Sequence, residues 1–530
     1  MSAAQAGFAS AGTLRAVAAV LAADLRQRLR APQTWLVMAG LAALMWWCFP
    51  AIETHYLTVS IDGMRGRYNS AWIGMIVALI YSMALSLFGF FLVRGTLVRD
   101  FETRAWQLLV ATTMSRGAYL FAKWLSHMLL FAMVIAGGLA IGLVLQFVRA
   151  EDRHVDLFEM VKPILVITLP SLALTATLAV WFDMVPWLRR SAGNVLFFAL
   201  WIFLLTLGTT QVKHVPGEPM PWPGDPHGML LAEHDLGDKW PVPAPDDEER
   251  GLNMGVHVMK DAAILVDWKR WDLDAAGVRT RAFWLGVALA LLGLAVPLLD
   301  RCASHLGRAG RSRTSGWRLR WLDWLLAPVE RWLPGGALVA AELRLVLRQR
   351  RWWWWLALLV VFGVQAFADP KGMSIAVIFA WLLLIDVFAR LVLREQETRT
   401  AGLVFTAAAA RLKLPVARLF VSIGLAWAVT LPAMLRMASS QPAIALATLV
   451  VGASIVLWGM AVGALARNGR PFELALLAVG YGGMQGAALL NVIVAPADTL
   501  RWHLLGLPVA LAMLLSAIFG AARFPAGRKQ

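Results

Sequence analysis

Two short stretches of mixed charge stand out in a chain that is otherwise strongly apolar. The first reads Arg-Asp-Phe-Glu-Thr-Arg over residues 99–104, and the second reads Arg-Glu-Gln-Glu-Thr-Arg over residues 394–399. Acids and bases at this spacing form local ion pairs on a solvated helix, or they contact a charged surface of a partner protein. The chemistry that they suggest is electrostatic contact, and no catalytic or metal-binding residues are predicted in either stretch.

The two stretches belong to a longer internal repeat. The repeated positions are residues 22–26 and 340–344, residues 99–104 and 394–399, Arg116 and Arg411, and Lys123 and Arg418. The first pair lies 318 positions apart and the other pairs 295 positions apart. A longer loop between the first two apolar segments of the first copy accounts for most of this drop. The order of the blocks predicts two halves with the same orientation, as in transporters built from parallel repeats.

Residues 99–123 read RDFETRAWQLLVATTMSRGAYLFAK. This block resembles the cytoplasmic loop after the second helix in permease subunits of type-2 ABC exporters, where the usual pattern is E-x-G-T-L-x-x-L-L-x-T-P-x-S-R with Lys seven residues after the Arg. The positions that match are Glu102, Leu109, Thr112, Ser115, Arg116 and Lys123. Arg104 replaces the usual Gly and Thr113 the usual Pro. The second copy keeps Glu397, Thr400 and Arg411, and has Arg418 in place of the lysine.

In that family the loop forms a coupling helix that docks on an ATPase subunit. The resemblance therefore assigns coupling to Arg99, Asp100, Glu102, Arg104, Arg116 and Lys123, and in the second half to Arg394, Glu395, Glu397, Arg399, Arg411 and Arg418. None of the nine lysines follows a glycine, so the chain has no G-x-x-x-x-G-K-[ST] phosphate loop. We expect no cofactor and no catalytic residue here. ATP and Mg would be bound by a separate ATPase subunit, in two copies.

Composition and apolar runs predict an all-α polytopic membrane protein. Of the 530 residues, 59% are hydrophobic and 15% are charged, against about 25% charged in an ordinary soluble protein. A membrane helix needs about 20 apolar residues. Twelve candidate spans are found, at about 33–50, 70–94, 124–148, 160–184, 190–212, 281–300, 352–368, 372–394, 417–436, 441–465, 472–496 and 501–520. They form two parallel six-helix repeats.

Charge predicts the orientation of these spans. With both termini in the cytoplasm, 33 of the 49 Lys and Arg residues fall on the cytoplasmic side, which carries about +21 against about −5 outside. The net charge of +16 is then an insertion signal and a contact with membrane lipids, and no nucleic-acid partner is expected. Arginine outnumbers lysine 40 to 9. That bias is typical of a GC-rich bacterial genome and predicts a multi-pass protein of the bacterial cytoplasmic (inner) membrane.

The predicted domains are a first half over residues 1–305, a basic cytoplasmic linker over 306–336 and a second half over 337–530. The first half includes an outer loop over 213–280, which serves as a connector or meets a periplasmic or other outer-face partner. Eight prolines between Pro216 and Pro245 argue against regular helix in that part, and a short helix is expected over 257–275. The loop histidines are expected at the surface, with a metal site as the less favoured alternative; they are His214, His227, His234 and His257.

Three smaller expectations complete the prediction. Residues 14–30 have helical amphipathic spacing and form either an interfacial helix or an extension of the first span. Gly138 and Gly142 have the small-xxx-small spacing of close helix packing. Asp386 is the deepest acid in a predicted span. A structural explanation is an ion pair with Arg390 one turn later, and a role in transport is the alternative.

Two other functions compete with the permease. One is a polytopic membrane enzyme, such as a lipid-linked transferase, that uses outer acids like Glu53 or Asp62. The other is an ion-coupled transporter in which Asp386 binds the ion or substrate. The scarcity of ionisable residues within the predicted spans favours an ATP-driven transporter over an ion-coupled one.

Overall fold

The computed structural model describes most of the chain in detail. The described residues are 3–50, 56–61, 64–103, 114–149, 151–189, 191–209, 220–239, 252–258, 264–301, 320–332, 335–350, 352–398, 400–404, 406, 410–484 and 488–520. The chain divides into two compact units, Met1–Arg311 and Ser312–Gln530. The division falls within the segment 306–336 that the sequence suggests as a linker.

The first unit is built mainly of helices. In chain order they are α1 (Ala3–Leu29), α2 (Pro32–Trp47), α3 (Ser70–Ile80), α4 (Ser86–Val93), α5 (Thr96–Glu102), α6 (Arg116–Arg149), α7 (Leu157–Pro163), α8 (Leu169–Met184), α9 (Ser191–Thr209), α10 (Met229–Lys239) and α11 (Ala275–Ala295). Five-residue π-helical turns join α3 to α4 and α7 to α8. Each joined pair therefore acts as one long apolar helix.

The amphipathic stretch at residues 14–30 is the end of a separate helix. Helix α1 ends at Leu29 and α2 begins at Pro32, because a proline is tolerated in the first turn of a helix but not in its interior. The alternative of a continuous extension of the first span is therefore wrong. Helix α1 packs against α6, and the contact buries Asp24 and Arg28.

Close packing at the glycines of α6 is confirmed. A Cβ atom on Gly138 would lie 2.3 Å from the Tyr81 hydroxyl oxygen, and one on Gly142 would lie 2.8 Å from Cγ2 of Ile73. Both distances are shorter than van der Waals contact, so only glycine lets α6 approach the α3–α4 helix this closely.

The first unit also holds a small β-sheet, which the all-α prediction missed. Its strands are β1 (Tyr56–Ile61), β2 (Met64–Gly66), β3 (Leu252–Val258) and β4 (Ile264–Val266), in the spatial order β3-β1-β2-β4. Strand β1 pairs with β2 and β3 in antiparallel fashion, whereas β2 and β4 are parallel. The sheet thus joins the loop after the first predicted span to the outer loop 213–280.

The outer loop is more ordered than its prolines suggest. Helix α10 fits between Pro226 and Pro241, so the expectation of no regular helix between Pro216 and Pro245 is wrong. A short helix is also expected over 257–275, but in the described part of that range strand β4 covers Ile264–Val266 and helix α11 begins only at Ala275.

Buried polar contacts tie the sheet to the helices. The Arg65 guanidinium on β2 donates to both carboxylate oxygens of Glu151 at 2.7 and 3.0 Å. The Asn69 side chain accepts from the amide of Trp72 at the start of α3 and donates to the Trp268 carbonyl at 2.7 Å. Asn69 therefore caps α3 and also holds the segment that follows β4.

The second unit consists of helices in the part of it that the structure describes. They are α12 (Arg320–Trp332), α13 (Gly336–Arg348), α14 (Trp352–Phe367), α15 (Pro370–Leu382), α16 (Ile385–Arg390), α17 (Arg394–Glu397), α18 (Ala401–Val404), α19 (Ala410–Ala428), α20 (Leu431–Ala438), α21 (Pro442–Ala466), α22 (Arg470–Met484) and α23 (Pro496–Gly520). Helices α21 and α23 pack together, as do α13 and α19.

Helices α19 and α20 meet at a bend of 62°. Pro432 follows Leu431 at the start of α20, and a proline leaves a carbonyl of the preceding turn without its helical donor. The buried Gln365 on α14 compensates at this bend. Its amide donates to the Val429 carbonyl at 3.0 Å and accepts from the Ala433 amide at 3.3 Å.

Seven helices in the described residues are long and apolar enough to cross a membrane, which identifies the chain as a multi-pass membrane protein. They are Ser70–Phe101, Arg116–Arg149, Leu157–Met184, Ala275–Ala295, Pro370–Arg390, Pro442–Ala466 and Pro496–Ala517. The other five predicted spans fall on the bent pair α19–α20, on α22 and on three apolar helices of 10–17 residues, Val37–Trp46, Gly193–Leu207 and Trp352–Phe367.

Candidate functional site

A buried cluster of charge surrounds Asp24 in the first unit. Asp24 is only 3% exposed, and its carboxylate accepts from Arg28 at 3.1 Å, Arg99 at 3.2 Å and Lys123 at 3.2 Å. The Lys123 ammonium also lies 2.7 Å from the Asp100 carboxylate. The first network, defined as Asp24, Arg99, Asp100 and Lys123, therefore fastens α5 to both α1 and α6.

Two hydroxyl groups complete the first network. The Ser126 hydroxyl on α6 donates to Asp24, and the Tyr119 hydroxyl donates to Asp100 at 2.7 Å. The buried acids thus receive neutral as well as charged hydrogen bonds. An unpaired charge at such depth would cost several kcal/mol.

The second unit contains a cluster of the same kind. The Glu342 carboxylate on α13 accepts from Arg394 at 2.6 Å and from Arg418 at 3.2 Å. Both terminal nitrogens of Arg418 donate to Glu395, and one of them also donates to the Leu391 carbonyl at 2.7 Å. The second network, defined as Glu342, Arg394, Glu395 and Arg418, fastens α17 to α13 and α19.

The two networks use corresponding positions of the sequence repeat. The corresponding pairs are Asp24 and Glu342, Arg99 and Arg394, Asp100 and Glu395, and Lys123 and Arg418. In each unit, the first acid of the network (Asp24 or Glu342) pairs with the arginine of the short helix and with the central base, which is Lys123 or Arg418. The central base also pairs with the acid of the short helix. Each network holds two acids and two bases. The repeated sequence blocks therefore form the same ion-pair arrangement in each unit.

Electrostatics favour the ionised form of the acids outside the spans. Burial alone would raise the pKa of Asp24, but the positive charges of Arg28 and Lys123 outweigh it and hold the pKa well below its usual range. At Glu395 burial likewise opposes ionisation, and the hydrogen bonds and charge of Arg418 outweigh it, so the pKa is lowered. Both acids are therefore ionised at neutral pH.

Helix α5 is also held at its start. Gly95 has a φ of +89°, a left-handed conformation that favours glycine. The buried Asp183 carboxylate at the end of α8 accepts from the Gly95 amide at 2.8 and 2.9 Å and from the Leu97 amide at 3.2 Å. This carboxylate satisfies amides at the helix N-terminus and faces the positive end of the helix dipole.

Of the twelve sequence-predicted coupling residues, six form the networks just described. Lys123 and Arg418 are 3% and 4% exposed, so any role in coupling would be to position α5 and α17. Arg116 instead lies at the surface, where it pairs with Asp300 at 2.6 Å and both side chains are about half exposed. Arg104 and Arg399 lie outside the described residues, as do the side chains of Glu102, Glu397 and Arg411.

Asp24, Glu342 and Asp183 are the site residues that the sequence did not assign. The first two were visible as members of the repeated Ala-Ala-acid-Leu-Arg block, but nothing in the sequence pointed to the bases with which they pair. Asp183 stands at the end of a predicted span, and its role as a cap depends on a segment 86 to 88 positions earlier in the chain.

Comparison with models of known protein families, with curated proteins and with solved structures finds no match to this chain.

The remaining sequence candidates lie away from the two networks. Arg350 donates to both carboxylate oxygens of Asp386 at 2.9 and 3.0 Å, which gives Asp386 a partner 36 positions earlier in the chain. Among the described residues there is no group of three or more His, Cys, Asp and Glu side chains that could hold a metal ion. Glu53 and Asp62, the candidates for a membrane enzyme, lie outside the described residues.

One outer-loop histidine, His227, connects the outer loop to the helices of the first unit. His227 is buried, contrary to the expectation of a surface position, and its Nδ1 atom lies 2.9 Å from the Ser82 carbonyl and 3.1 Å from the Ser171 hydroxyl. These contacts attach the loop before α10 to the helices of the first unit. His214 lies outside the described residues.

Proposed function

We propose that this chain is the membrane-spanning permease subunit of an ATP-driven ABC transporter, an exporter of the bacterial cytoplasmic (inner) membrane. Two copies of a separate ATPase subunit would bind ATP and Mg. The observation that carries the proposal is the pair of matching networks. They anchor the two short helices, α5 and α17, that begin the motif resembling the coupling loop of type-2 exporters.

The anchoring suits a helix that transmits movement. Helix α5 is bonded to α1 through Asp24, to α6 through Lys123 and to α8 through Asp183. A displacement of α5 would therefore reach two long apolar helices, Arg116–Arg149 and Leu157–Met184. Helix α17 is bonded to α13 and α19 in the corresponding way. Buried, hydrogen-bonded ion pairs give stiffer connections than solvated surface pairs.

The proposed architecture is twelve transmembrane helices in two parallel six-helix repeats, with both termini in the cytoplasm. Each of the twelve predicted spans falls on a helix, although five of these helices are short or bent. In each half, the matching network joins residues that precede the first predicted span to residues that follow the second one. This correspondence supports a parallel repeat. The cytoplasmic termini follow from the positive-inside distribution of charge.

The test is co-purification and ATPase coupling. An ABC ATPase gene next to the gene of this chain would support the proposal. The chain would be co-expressed with that ATPase, with and without Glu102→Ala plus Glu397→Ala. We expect the double variant to insert normally but to lose ATPase stimulation or assembly. Asp498→Ala is a matched control, because this acid is exposed and predicted to lie on the outer side. Transport and ATPase stimulation like the unmodified protein in the double variant would overturn the assignment.

An ion-coupled transporter is the second candidate, and a specific observation favours it. The buried ionisable groups are more numerous than the sequence suggested. Lys123 and His127 lie one turn apart on α6 and are both at most 3% exposed, and the His127 Nε2 atom lies 3.2 Å from the Thr96 hydroxyl. Transport into proteoliposomes discriminates the two functions. Uptake that needs a proton gradient, without ATP and the ATPase, would favour the second.

A further inference from the structure

The linker over residues 306–336 has an unusual composition. It contains six arginines, four tryptophans and only two acids, Asp323 and Glu330. Helix α12 (Arg320–Trp332) lies within it and packs against α13. Arginine combined with tryptophan suits the boundary between lipid headgroups and acyl chains, where aromatic rings and basic side chains are both accommodated.

One face of α12 is used within the second unit. Leu326 is buried against the rest of the unit. Asp323 accepts from Arg344 at 2.9 Å and from Arg348 at 2.8 Å, and Glu330 pairs with Arg344. Both acids of the linker thus pair with arginines of α13.

The opposite face of α12 carries large apolar rings. Trp324 is 81% exposed and Trp332 is 85% exposed. They are eight residues apart, which on a helix places them on one face and about 12 Å from each other. Arg331 is exposed beside them. The helix therefore directs its acids toward the protein and its tryptophans outward, the reverse of a helix that faces water.

Helix α12 is also close in sequence to a membrane entry. Helix α13 leads directly to the apolar helix α14, whose first residue, Trp352, is 67% exposed. A helix of 13 residues such as α13 spans about 20 Å. An outward-facing Trp pair on α12 is therefore within reach of the same membrane surface.

We propose that α12 lies in the membrane–water interface, with Trp324 and Trp332 inserted into an anionic lipid leaflet and the exposed Arg331 bound to its headgroups. The charge of the linker selects anionic over zwitterionic lipid. The leaflet is the one that the charge distribution predicts to be cytoplasmic. This inference needs only a membrane-embedded chain and is independent of the proposed transport function.

The test measures depth with a nitroxide label on the full-length protein. Labels are placed at Trp324→Cys and, separately, Trp332→Cys, in a Cys48→Ser plus Cys302→Ser background. The protein is reconstituted in nanodiscs of phosphatidylcholine with and without phosphatidylglycerol. We expect both labels to lose access to a water-soluble nickel chelate and to collide with oxygen, and to lie deeper when phosphatidylglycerol is present.

Two control positions calibrate the measurement. Lys269→Cys reports water, because Lys269 is 67% exposed on the outer loop. Leu505→Cys reports the acyl chains, because Leu505 is 71% exposed on the apolar span Pro496–Ala517. Labels at 324 and 332 that match Lys269→Cys in both nanodiscs would overturn the proposal. So would protection that is unaffected by phosphatidylglycerol, or protection that arises only when the ATPase subunit is added.

A second measurement does not depend on the cysteine variants folding. Hydrogen exchange of the unmodified protein is followed over residues 320–332 in the two nanodisc compositions. We expect slower exchange when phosphatidylglycerol is present. In the variant Arg331→Gln this slowing should be reduced. Equal exchange in the two lipid compositions for the unmodified protein would contradict the proposal.

Discussion

The two charged networks have the same connections but use different side chains. In the first, the Lys123 ammonium joins Asp24 to Asp100, and Arg28, Ser126 and Tyr119 supply further hydrogen bonds. In the second, the forked guanidinium of one residue, Arg418, joins Glu342 to Glu395 and also reaches a backbone carbonyl.

This difference shows how an arrangement survives changes of residue type. A lysine offers a compact charge with three donors, whereas an arginine offers five donors in a fixed plane. The first network distributes its hydrogen bonds over several helices, and the second concentrates them on Arg418. The second network should therefore be more sensitive to the loss of one side chain.

The largest expected effect is that of removing the central base. We expect Arg418→Met to destabilise the protein by about 3–5 kcal/mol. The variant would leave the buried Glu395 without the arginine that binds both its carboxylate oxygens, and Glu342 would keep Arg394. Lys123→Met should cost less, because Asp24 keeps Arg28 and Asp100 keeps Tyr119. Denaturant unfolding in mixed micelles measures both. Lys269→Met, at an exposed position, is the control.

If Lys123→Met lowers the free energy of unfolding as much as Arg418→Met or more, the first network does not distribute its stabilising hydrogen bonds over several side chains. A cost below about 1 kcal/mol for both variants, the range of surface pairs, would mean that neither network is buried in the membrane-embedded protein.

Next in size is the loss of the cap on α5. We expect Asp183→Ala to cost about 1–2 kcal/mol, the range of a removed N-terminal cap. Hydrogen exchange should be faster at the amides of Gly95 and Leu97, because both donate hydrogen bonds to the Asp183 carboxylate. Exchange in α17 should be unchanged, because both Asp183 and the amides that it caps belong to the first unit. Equal acceleration in both helices would show that the variant loosens the whole chain.

How much of this could be predicted from the sequence differs between the networks and the sheet. The apolar runs predicted the helices, and the repeat located all eight network positions, six of them as site residues. The pairing of Asp24 with Lys123 follows from the packing of α1 on α6 and could not be read from residues 99 positions apart. Strands β1 and β3 were missed because their partners lie nearly 200 positions apart and neither is stable alone.

The two networks should also respond differently to acid. We expect this effect on stability to be smaller than the effects of the substitutions at Arg418 and Asp183 measured near neutral pH. A carboxyl whose folded-state pKa is lowered stabilises the fold above its unfolded pKa of about 4, and this contribution is lost as the pH falls through the folded-state pKa. The positive charges of Arg28 and Lys123 both lower the pKa of Asp24, whereas the pKa of Glu395 is lowered mainly by Arg418. We therefore expect the second unit to loosen at a higher pH than the first.

Hydrogen exchange between pH 5 and pH 2, corrected for the intrinsic rate, measures this order in α17 and α5. Glu395→Gln should remove the acid-dependent loosening of α17 and leave that of α5 unchanged. Loosening of α5 before α17 would reverse the assignment of the stronger charge stabilisation to Asp24.

The smallest expected effect concerns Arg116, which lies outside both networks although the sequence places it in the same motif. Its pair with Asp300 is about half exposed, and such pairs contribute about 0–1 kcal/mol. Arg116→Ala should therefore leave unfolding nearly unchanged, at most within that range, and Asp300→Ala should behave alike. If Arg116 instead contacts the ATPase, Arg116→Ala should lower ATPase stimulation while Asp300→Ala leaves it intact. This separation distinguishes an exposed docking residue from the buried bases Lys123 and Arg418, whose removal should lower stability and stimulation together. Loss of stability from Arg116→Ala as large as that from Lys123→Met would contradict the distinction.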